Sequence, residues 1–554
     1  MIALARLPSV CAMAMAIGLV AFFWRQGERF LEANGPTFDE CVHLAAGYGY
    51  WSTGDFRMNS EDPPLLKLWW ALPLLFGDRP AFPHDAAAAA NGDDWQVGIA
   101  FLYHSGVPHQ DLLKPARRMN LAIGCGIVLL AGWWAFRLWR SQLAGLAAVA
   151  FAAFDPNLLA LSCVLSTDAG LAFFALLSCY LLWEYAGTPT RPLLFALGIS
   201  LGLMLGSKFS AIAMIAGLGA AGIIYVWSGG TLALPGERCK SPPRAAFNLA
   251  FRLGVIALIA LAATYGFIHF DEWGRGLKFQ LTRAEHGDGR MYLNGELSKT
   301  GWYHYFLVVL SVKLPLGLVA SAIGSLPSLW SSKNRVALFA IPPLVFFTAA
   351  SFSRVDLGIR VVLPAIAFLY VLAGGLASSG RCRSLRLMLL AGCLAWSGWA
   401  AWQSAPRPIS YFNEIAGDRG AEVVADSNVD WGQGLPALKQ FMKSEGINII
   451  YLSYFGTDRP EAYDIRFQAL PGYGRVGPPG GESIPLKAPR HVVAVSVNNL
   501  LGIYLNDSET FAFLRFRKPT AILAGSIVLF DLTDDDEAIR LVRRGAAGGS
   551  VSEN

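Results

Sequence analysis

Two acidic pairs, Asp39-Glu40 and Glu61-Asp62, share one polar stretch, FDECVHLAAGYGYWSTGDFRMNSEDPPLLK, behind the first apolar run of the chain. Carboxylates are costly beside hydrocarbon, so acids next to a membrane bundle are usually kept for a site rather than for stability. Asp39 stands about fifteen residues beyond that run, near enough to fold back to the membrane face. A carboxylate there suits a general base that takes the proton of an acceptor hydroxyl, and partial burial would raise its proton affinity toward neutrality. Glu40 joins it as a catalytic candidate. Glu61-Asp62 runs straight into Pro63-Pro64, which fixes φ twice and removes two backbone donors. An acidic pair on so stiff a turn suits metal binding, orientation of an acceptor, or the dipole at a helix start.

Four more ionisable groups fall at the ends of apolar runs on one side of the layout described below: Asp168 in LSTDAG, Lys208 in GSKFS, His286 in RAEHGDG and Arg360 in LGIRVVLP. With Asp39 they supply a base and cations on one face. Cations at a membrane face suit the phosphate of a lipid-linked donor, Arg as a bidentate fork and Lys as a point charge, with Asp168 in support. Lys313 in SVKLPLG lies about half-way into an apolar run, where a lone ammonium is expensive. It should face the bundle interior or snorkel, in a structural or phosphate-pairing role. Glu61, Asp62 and His286 are oxygen and imidazole donors that leave a divalent metal open, although their spacing matches no recognised metal motif.

The elements that must position these groups are membrane spans. Of 554 residues, 54% are hydrophobic and only 15% charged, and the mean hydropathy is +0.42, the composition of an integral membrane protein. The net charge of +5 gives no footprint for nucleic acid. The eight cysteines show no metal spacing, and none follows Cys393, so the polar end of the chain carries no disulfide framework. With about 20 apolar residues needed per crossing, spans are predicted near 8–24, 116–138, 142–162, 165–185, 191–206, 209–228, 247–268, 302–327, 335–351, 358–378 and 385–403, about eleven. The first is expected to be a retained signal anchor, and the run 64–77 an interfacial helix.

Arg137, Arg140, Arg191, Arg238, Lys240, Arg244, Lys333, Arg335, Arg381, Arg383 and Arg386 fall in alternate loops. That asymmetry places the N-terminus in the cytoplasm and the loops 25–115 and 269–301, with everything after 403, outside. The fold class expected is an α-helical polytopic membrane bundle, residues 1–403, with a large first outer loop and a small C-terminal soluble α/β domain, residues 404–554. In that tail AEVVAD, NIIYLSYF, HVVAVSV and AILAGSIVLFDL read as strands and LPALKQFMKSEG as a helix. The stretch 471–481 reads as a loop and the last ten residues as disordered.

The pattern FDE…H…G…Y…GDF..N.EDPPLLK…ALPLL resembles the first outer loop of the polyprenyl-phosphate-sugar-dependent glycosyltransferases. These include the dolichyl-phosphate-mannose protein mannosyltransferases and the bacterial lipid A aminoarabinose transferases. LSTDAG, LGSKFS, GELSKTGWYHYFLVVLSVKLPLG, LGIRVVLP and YFNEIAG…ADSNVDWGQGLPALKQF resemble bacterial members, and the resemblance runs over about residues 30–440. It implies a multi-span bundle that carries out inverting transfer of a sugar from a polyprenyl phosphate donor. The loop aspartate acting as catalytic base in the family maps to Asp39, and its acidic-Pro-Pro element to Glu61, Asp62, Pro63 and Pro64. Many members carry His or Lys directly before the two prolines, where this chain has Asp62.

The expected protein is therefore an integral membrane glycosyltransferase of the inner (plasma) membrane with an outward-facing site. Its donor would be a polyprenyl-phosphate-linked sugar and its acceptor a hydroxyl of a protein, lipid or glycan. Lys208, Arg360 and Lys313 are the candidate phosphate ligands. The rival classes are a lipid or sugar transporter, disfavoured by the absence of an inverted repeat, and a non-catalytic family member that acts as a binding scaffold.

Overall fold

The structure is a computed structural model that describes residues 9–77, 79–83, 93–237, 241–287, 289–330, 335–378, 382–473, 484–485 and 488–546. Most of the 471–481 loop, the extreme C-terminus after 546, and the basic residues Arg238, Lys240, Lys333 and Arg381 lie outside the described residues. The chain is mostly helical, with two small sheets.

Each apolar run of the sequence falls on a helix or a bent pair of helices. By length and composition five described helices can each cross a membrane: Val10–Ala33, His109–Trp139, Pro242–Thr264, Ile359–Ala377 and Arg383–Ser404. The number rises to seven if each of two bent pairs is one span. Arg191–Leu205, Ala211–Trp227 and Val336–Ser351 are shorter apolar helices. The chain is thus a multi-pass membrane protein.

The straight spans expected at 142–162 and 302–327 are both broken. Gln142–Ala153 and Pro156–Cys163 meet at 61°, and Tyr305–Lys313 and Leu316–Leu329 at 110°. Pro156 and Pro315 lack the N–H that would continue the ladder, and Asp155 caps the second half-helix by accepting from Asn157 N at 2.8 Å. Backbone groups freed inside a bundle must find partners. Asn413 Nδ2 donates to the carbonyls of Ser311 and Leu314, and Asn157 Nδ2 to that of Lys313.

The loop 25–115 holds two helices absent from the sequence reading, Glu40–Thr53 and Asp94–His104, together with the expected short Leu65–Ala71. Two glycines let them close up. A Cβ on Gly98 would lie 2.8–2.9 Å from the backbone of Cys41 and Val42, and one on Gly47 would collide with the Lys67 carbonyl. In the loop 269–301 β1 (Met291–Leu293) and β2 (Glu296–Ser298) form an antiparallel hairpin.

The tail carries a five-stranded sheet of β3 (Ile450–Ser453), β4 (Phe467–Ala469), β5 (Val492–Ser496), β6 (Ala521–Leu523) and β7 (Ile527–Asp531), in the order β4-β3-β5-β7-β6. Strands β4 and β5 flank β3 in parallel, while β7 runs antiparallel to both β5 and β6. The helix Leu435–Ser444 falls where LPALKQFMKSEG placed it. AILAGSIVLFDL is two strands joined by a turn, and AEVVAD is no strand: Gly420–Val423 is a single helical turn. The segment meets the β1–β2 hairpin instead, Asn294 N donating to Val423 O and the Tyr292 hydroxyl to Glu422 O.

Candidate active site

A cavity of about 950 Å³ opens between the loop 25–115, the ends of several apolar helices and the tail. Asp39, Glu61, Asp62, Asp168, Lys208 and Arg360 all line it. These residues lie up to 321 positions apart in sequence, so the fold alone brings them together.

Asp39 sits at the N-cap of Glu40–Thr53, but its side chain makes no capping hydrogen bond. Its Oδ2 accepts from Arg360 Nη1 at 3.1 Å, with 24% of the Asp39 side chain and 16% of the Arg360 side chain exposed. The guanidinium lies over the Trp431 ring, 4.6 Å from its centroid, a cation–π contact that holds the fork in place. Asp168 and Lys208 form a second ion pair in the same cavity, and Ser166 Oγ donates to Asp168 Oδ2 at 2.9 Å.

The EDPP turn is held from below by Lys67, which the sequence reading passed over. Its buried ammonium donates to Asn59 O at 2.6 Å and Asp62 O at 2.7 Å, closing the turn that presents Glu61 and Asp62. Burial pulls that ammonium down to about 8. Asp62 Oδ2 stands 3.4 Å from His43 Nε2, and its Oδ1 accepts from Thr167 Oγ1 at 3.2 Å. Burial by itself would push the Asp62 carboxyl up, but the His43 hydrogen bond and charge outweigh it and hold it below the usual carboxylate range. Burial likewise opposes charge on the His43 imidazole, and Asp62 outweighs it, raising the imidazole. His43 Nδ1 lies 2.6 Å from Leu165 O, so both ring nitrogens face acceptors, an arrangement that favours the protonated imidazole. Pro63 fixes the turn, and Pro64 is the N-cap of Leu65–Ala71.

Besides Pro63 and Pro64, three candidate residues, Glu40, Lys313 and His286, do not line the cavity. Glu40 is fully buried, and its carboxylate accepts from Arg117 Nη2 at 2.6 Å, Arg117 Nε at 2.8 Å and the backbone N–H groups of Thr37 and Leu165. Lys313, also buried, donates to Ile409 O and Asn428 O at 2.8 Å each, fastening the break in its helix to the tail. His286 is exposed at the C-terminal end of Asp271–His286, its Nδ1 bonded to Thr282 O. It is therefore not gathered with Glu61 and Asp62, and among the described residues no group of three or more His, Cys, Asp or Glu is placed to hold a metal ion.

Sequence reading also missed how far the tail builds the site. Asn428 Oδ1 accepts from Ile359 N at 3.0 Å and Ser427 Oγ donates to Leu357 O at 2.8 Å, bracing the turn that carries Arg360. Trp431 O accepts from Phe38 N at 2.8 Å, and Thr457 Oγ1 donates to Phe38 O at 2.9 Å, bracing the residue before Asp39. The available signal was the ADSNVDWGQG segment, whose amides and tryptophan interrupt the strand-like texture of the tail.

Residues 15–272, a little under half of the chain, match the family model described as dolichyl-phosphate-mannose-protein mannosyltransferase. The chain is thus similar in sequence to the polyprenyl-phosphate-sugar-dependent membrane glycosyltransferases, as its loop 25–115 indicated. Among solved structures, ArnT from Cupriavidus metallidurans in the apo state is similar over 94% of this chain and 98% of that one, at 13% identity and a TM-score of 0.48. ArnT bound to undecaprenyl phosphate is similar over 94% and 97%, at 14% identity and a TM-score of 0.44. The S. cerevisiae protein O-mannosyltransferase Pmt1-Pmt2 complex bound to the sugar donor is similar over 49% and 35%, at 20% identity and a TM-score of 0.33. No curated protein matches the chain in sequence. Backbones this far apart say nothing about individual residues, and the chemistry has to be argued from the cavity itself.

Proposed function

We propose that the protein is a glycosyltransferase that moves a sugar from a polyprenyl phosphate to an acceptor hydroxyl at the outer membrane face. One observation carries this reading: an acid suited to be a base, Asp39, and two cations suited to a phosphate, Arg360 and Lys208, line one cavity. The same cavity has an apolar wall of Ile212, Ala213 and Ala216 on one short apolar helix and Phe346, Ala349 and Ala350 on another. A polyprenyl chain would enter along that wall and bring its phosphate to the cations.

In the proposed reaction Asp39 takes the proton of the acceptor hydroxyl as its oxygen bonds to the anomeric carbon. The bond from that carbon to the phosphate oxygen breaks with inversion, and the electron pair leaves on the polyprenyl phosphate. Arg360, the partner of Asp39, turns its fork to the departing phosphate, and Lys208 adds a point charge. Fixing both reactants supplies part of the acceleration, and stabilising the leaving anion another part.

The test is purified protein supplied with an undecaprenyl-phosphate sugar, with transfer and donor binding read separately. Asp39→Asn should bind donor and not turn over; loss of donor binding together with turnover would return Asp39 to a structural role. The reading also places the tail beyond residue 403 outside the cytoplasm, and a reporter fused there that scores as cytoplasmic would reject it.

A further inference from the structure

Four aromatic rings lie nearly parallel along the part of this cavity next to Asp39. Phe38, the residue before the proposed base, stacks on Phe455 with centroids 5.2 Å apart and planes 24° apart. Phe455 stacks on Tyr504 at 5.2 Å and 15°, and Tyr473 lies against all three, 6.1 Å from Phe38, 6.1 Å from Phe455 and 5.0 Å from Tyr504. Trp95 closes the end edge-on to Phe38 at 4.9 Å. All five rings line the cavity, and Tyr473 is 43% exposed. Neither the base nor the phosphate cations account for them.

We propose that this stack is the acceptor subsite and that its ligand is a carbohydrate ring, so that the acceptor hydroxyl belongs to a glycan. The inference rests on the glycosyltransferase reading and narrows it. One face of a pyranose carries several C–H bonds whose partial positive charge matches the negative face of an aromatic ring. The hydroxyls at its rim need polar partners at the edge of such a platform. The edge here has them: the Tyr504 hydroxyl donates to Asp426, and Asp426, Arg290 and Lys299 line the same cavity.

An acyl chain would call for an unbroken aliphatic wall, whereas here five aromatic rings are gathered together and the aliphatic lining residues, among them Val42, Ile212, Leu277, Leu357 and Ile503, are spread over several elements. A peptide held by strand addition would need a strand edge, and no residue of the seven described strands lines the cavity. The placement also suits the chemistry. A sugar resting on Phe38 and Tyr473 has its rim next to Asp39, within reach of the group that must take its proton.

Saturation-transfer NMR on the full-length protein in nanodiscs, with maltotriose, cellotriose, mannotriose and chitotriose as probes, tests the subsite without any turnover. Saturation should reach the ring C–H protons of at least one trisaccharide. Tyr473→Ala should weaken that contact at least tenfold, while Tyr473→Trp keeps it and both variants melt with the wild type. If no trisaccharide is contacted, if contact survives Tyr473→Ala, or if a serine- and threonine-containing peptide binds in its place and is lost in Tyr473→Ala, the proposal falls. Undecaprenyl phosphate titrated into the same preparations separates the two readings. Tyr473→Ala should bind it as the wild type does, and a wild type that fails to bind it removes the donor reading while the sugar result stands.

Discussion

Arg360 Nη1 stands 3.1 Å from Asp39 Oδ2, so the cation proposed for the phosphate and the carboxylate proposed as base are direct partners. In the proposed reaction the pair would couple the two half-tasks. A phosphate that draws the guanidinium away would free the carboxylate, so that donor binding would prepare the base. Trp431 lies beneath the guanidinium, its ring centroid 4.6 Å away, and would limit its excursion.

Arg360→Lys is therefore expected to be a severe change. An ammonium cannot hold a carboxylate and a phosphate with one planar fork, nor lie on Trp431 in the same way. Arg360→Lys and Arg360→Ala should both weaken polyprenyl phosphate binding and lower turnover, the latter by about 10²–10³, the scale of one lost electrostatic donor. Lys208→Ala should give a smaller loss of the same kind. Titration of undecaprenyl phosphate into purified variants decides it, and wild-type affinity in Arg360→Lys would leave Lys208 as the phosphate ligand.

Asp39 and Glu40 should behave as opposites although they are neighbours. Asp39→Asn should cost on the order of 10²–10⁴ in turnover, the worth of a positioned base, with an unchanged melting temperature. Glu40→Gln leaves buried Arg117 without its counter-ion, and breaking such a pair typically costs about 3–5 kcal/mol of stability. Its loss should show in yield and melting temperature, while the folded fraction turns over far better than Asp39→Asn. Equal turnover losses with equal stability would mean that Glu40 takes part in the chemistry.

How much of this was legible in the sequence depends on what each signal can carry. Hydropathy finds apolar runs, and each run became helix, yet it cannot see backbone geometry, so the breaks at Pro156 and Pro315 were hidden inside them. Spacing from the membrane singled out Asp39, Lys208 and Arg360, whose common cavity is a matter of three-dimensional packing. It could not say that Glu40, one residue on, turns inward to Arg117, because that depends on the helix beginning at Glu40. Lys313 was recognised as a buried cation needing a partner. Its partners are backbone carbonyls of Ile409 and Asn428, and carbonyls leave no trace in a residue pattern. Val423 and Val424 gave AEVVAD a strand-like look that the contact with the β1–β2 hairpin overrode.

The His43–Asp62 pair gives a pH dependence. The raised His43 contributes stability that is full below an unfolded value of roughly 6.5 and is lost as pH rises through its folded value. The lowered Asp62 contributes stability that is full above an unfolded value of about 3.9 and is lost as pH falls through its folded value. The pair thus stabilises most between those limits. Melting temperatures of wild type and His43→Gln should differ more at pH 5.5 than at pH 9 (values about one unit below and well above the histidine limit). A gap independent of pH would mean that His43 is neutral in the folded protein.

Gly358 offers the sharpest test of the claim that the tail holds Arg360 in position. It adopts φ +86°, a region that alanine enters only with strain, and a Cβ there would lie 2.5–2.7 Å from the side-chain atoms of Asn428. That amide accepts from Ile359 N, and the Asn428 carbonyl accepts from Lys313. Gly358→Ala must therefore displace the brace two residues before Arg360. A backbone strain of this kind costs roughly 1–3 kcal/mol, and we expect donor affinity to fall at least tenfold, the loss reaching Arg360 through its displaced turn. Asn428→Ala removes both the brace and the obstacle, so Gly358→Ala should cost less in that background than in the wild type, a coupling that a double-mutant cycle on donor binding measures. Strictly additive losses would mean that Gly358 acts through its own backbone alone and that Asn428 has no hold on the phosphate ligand.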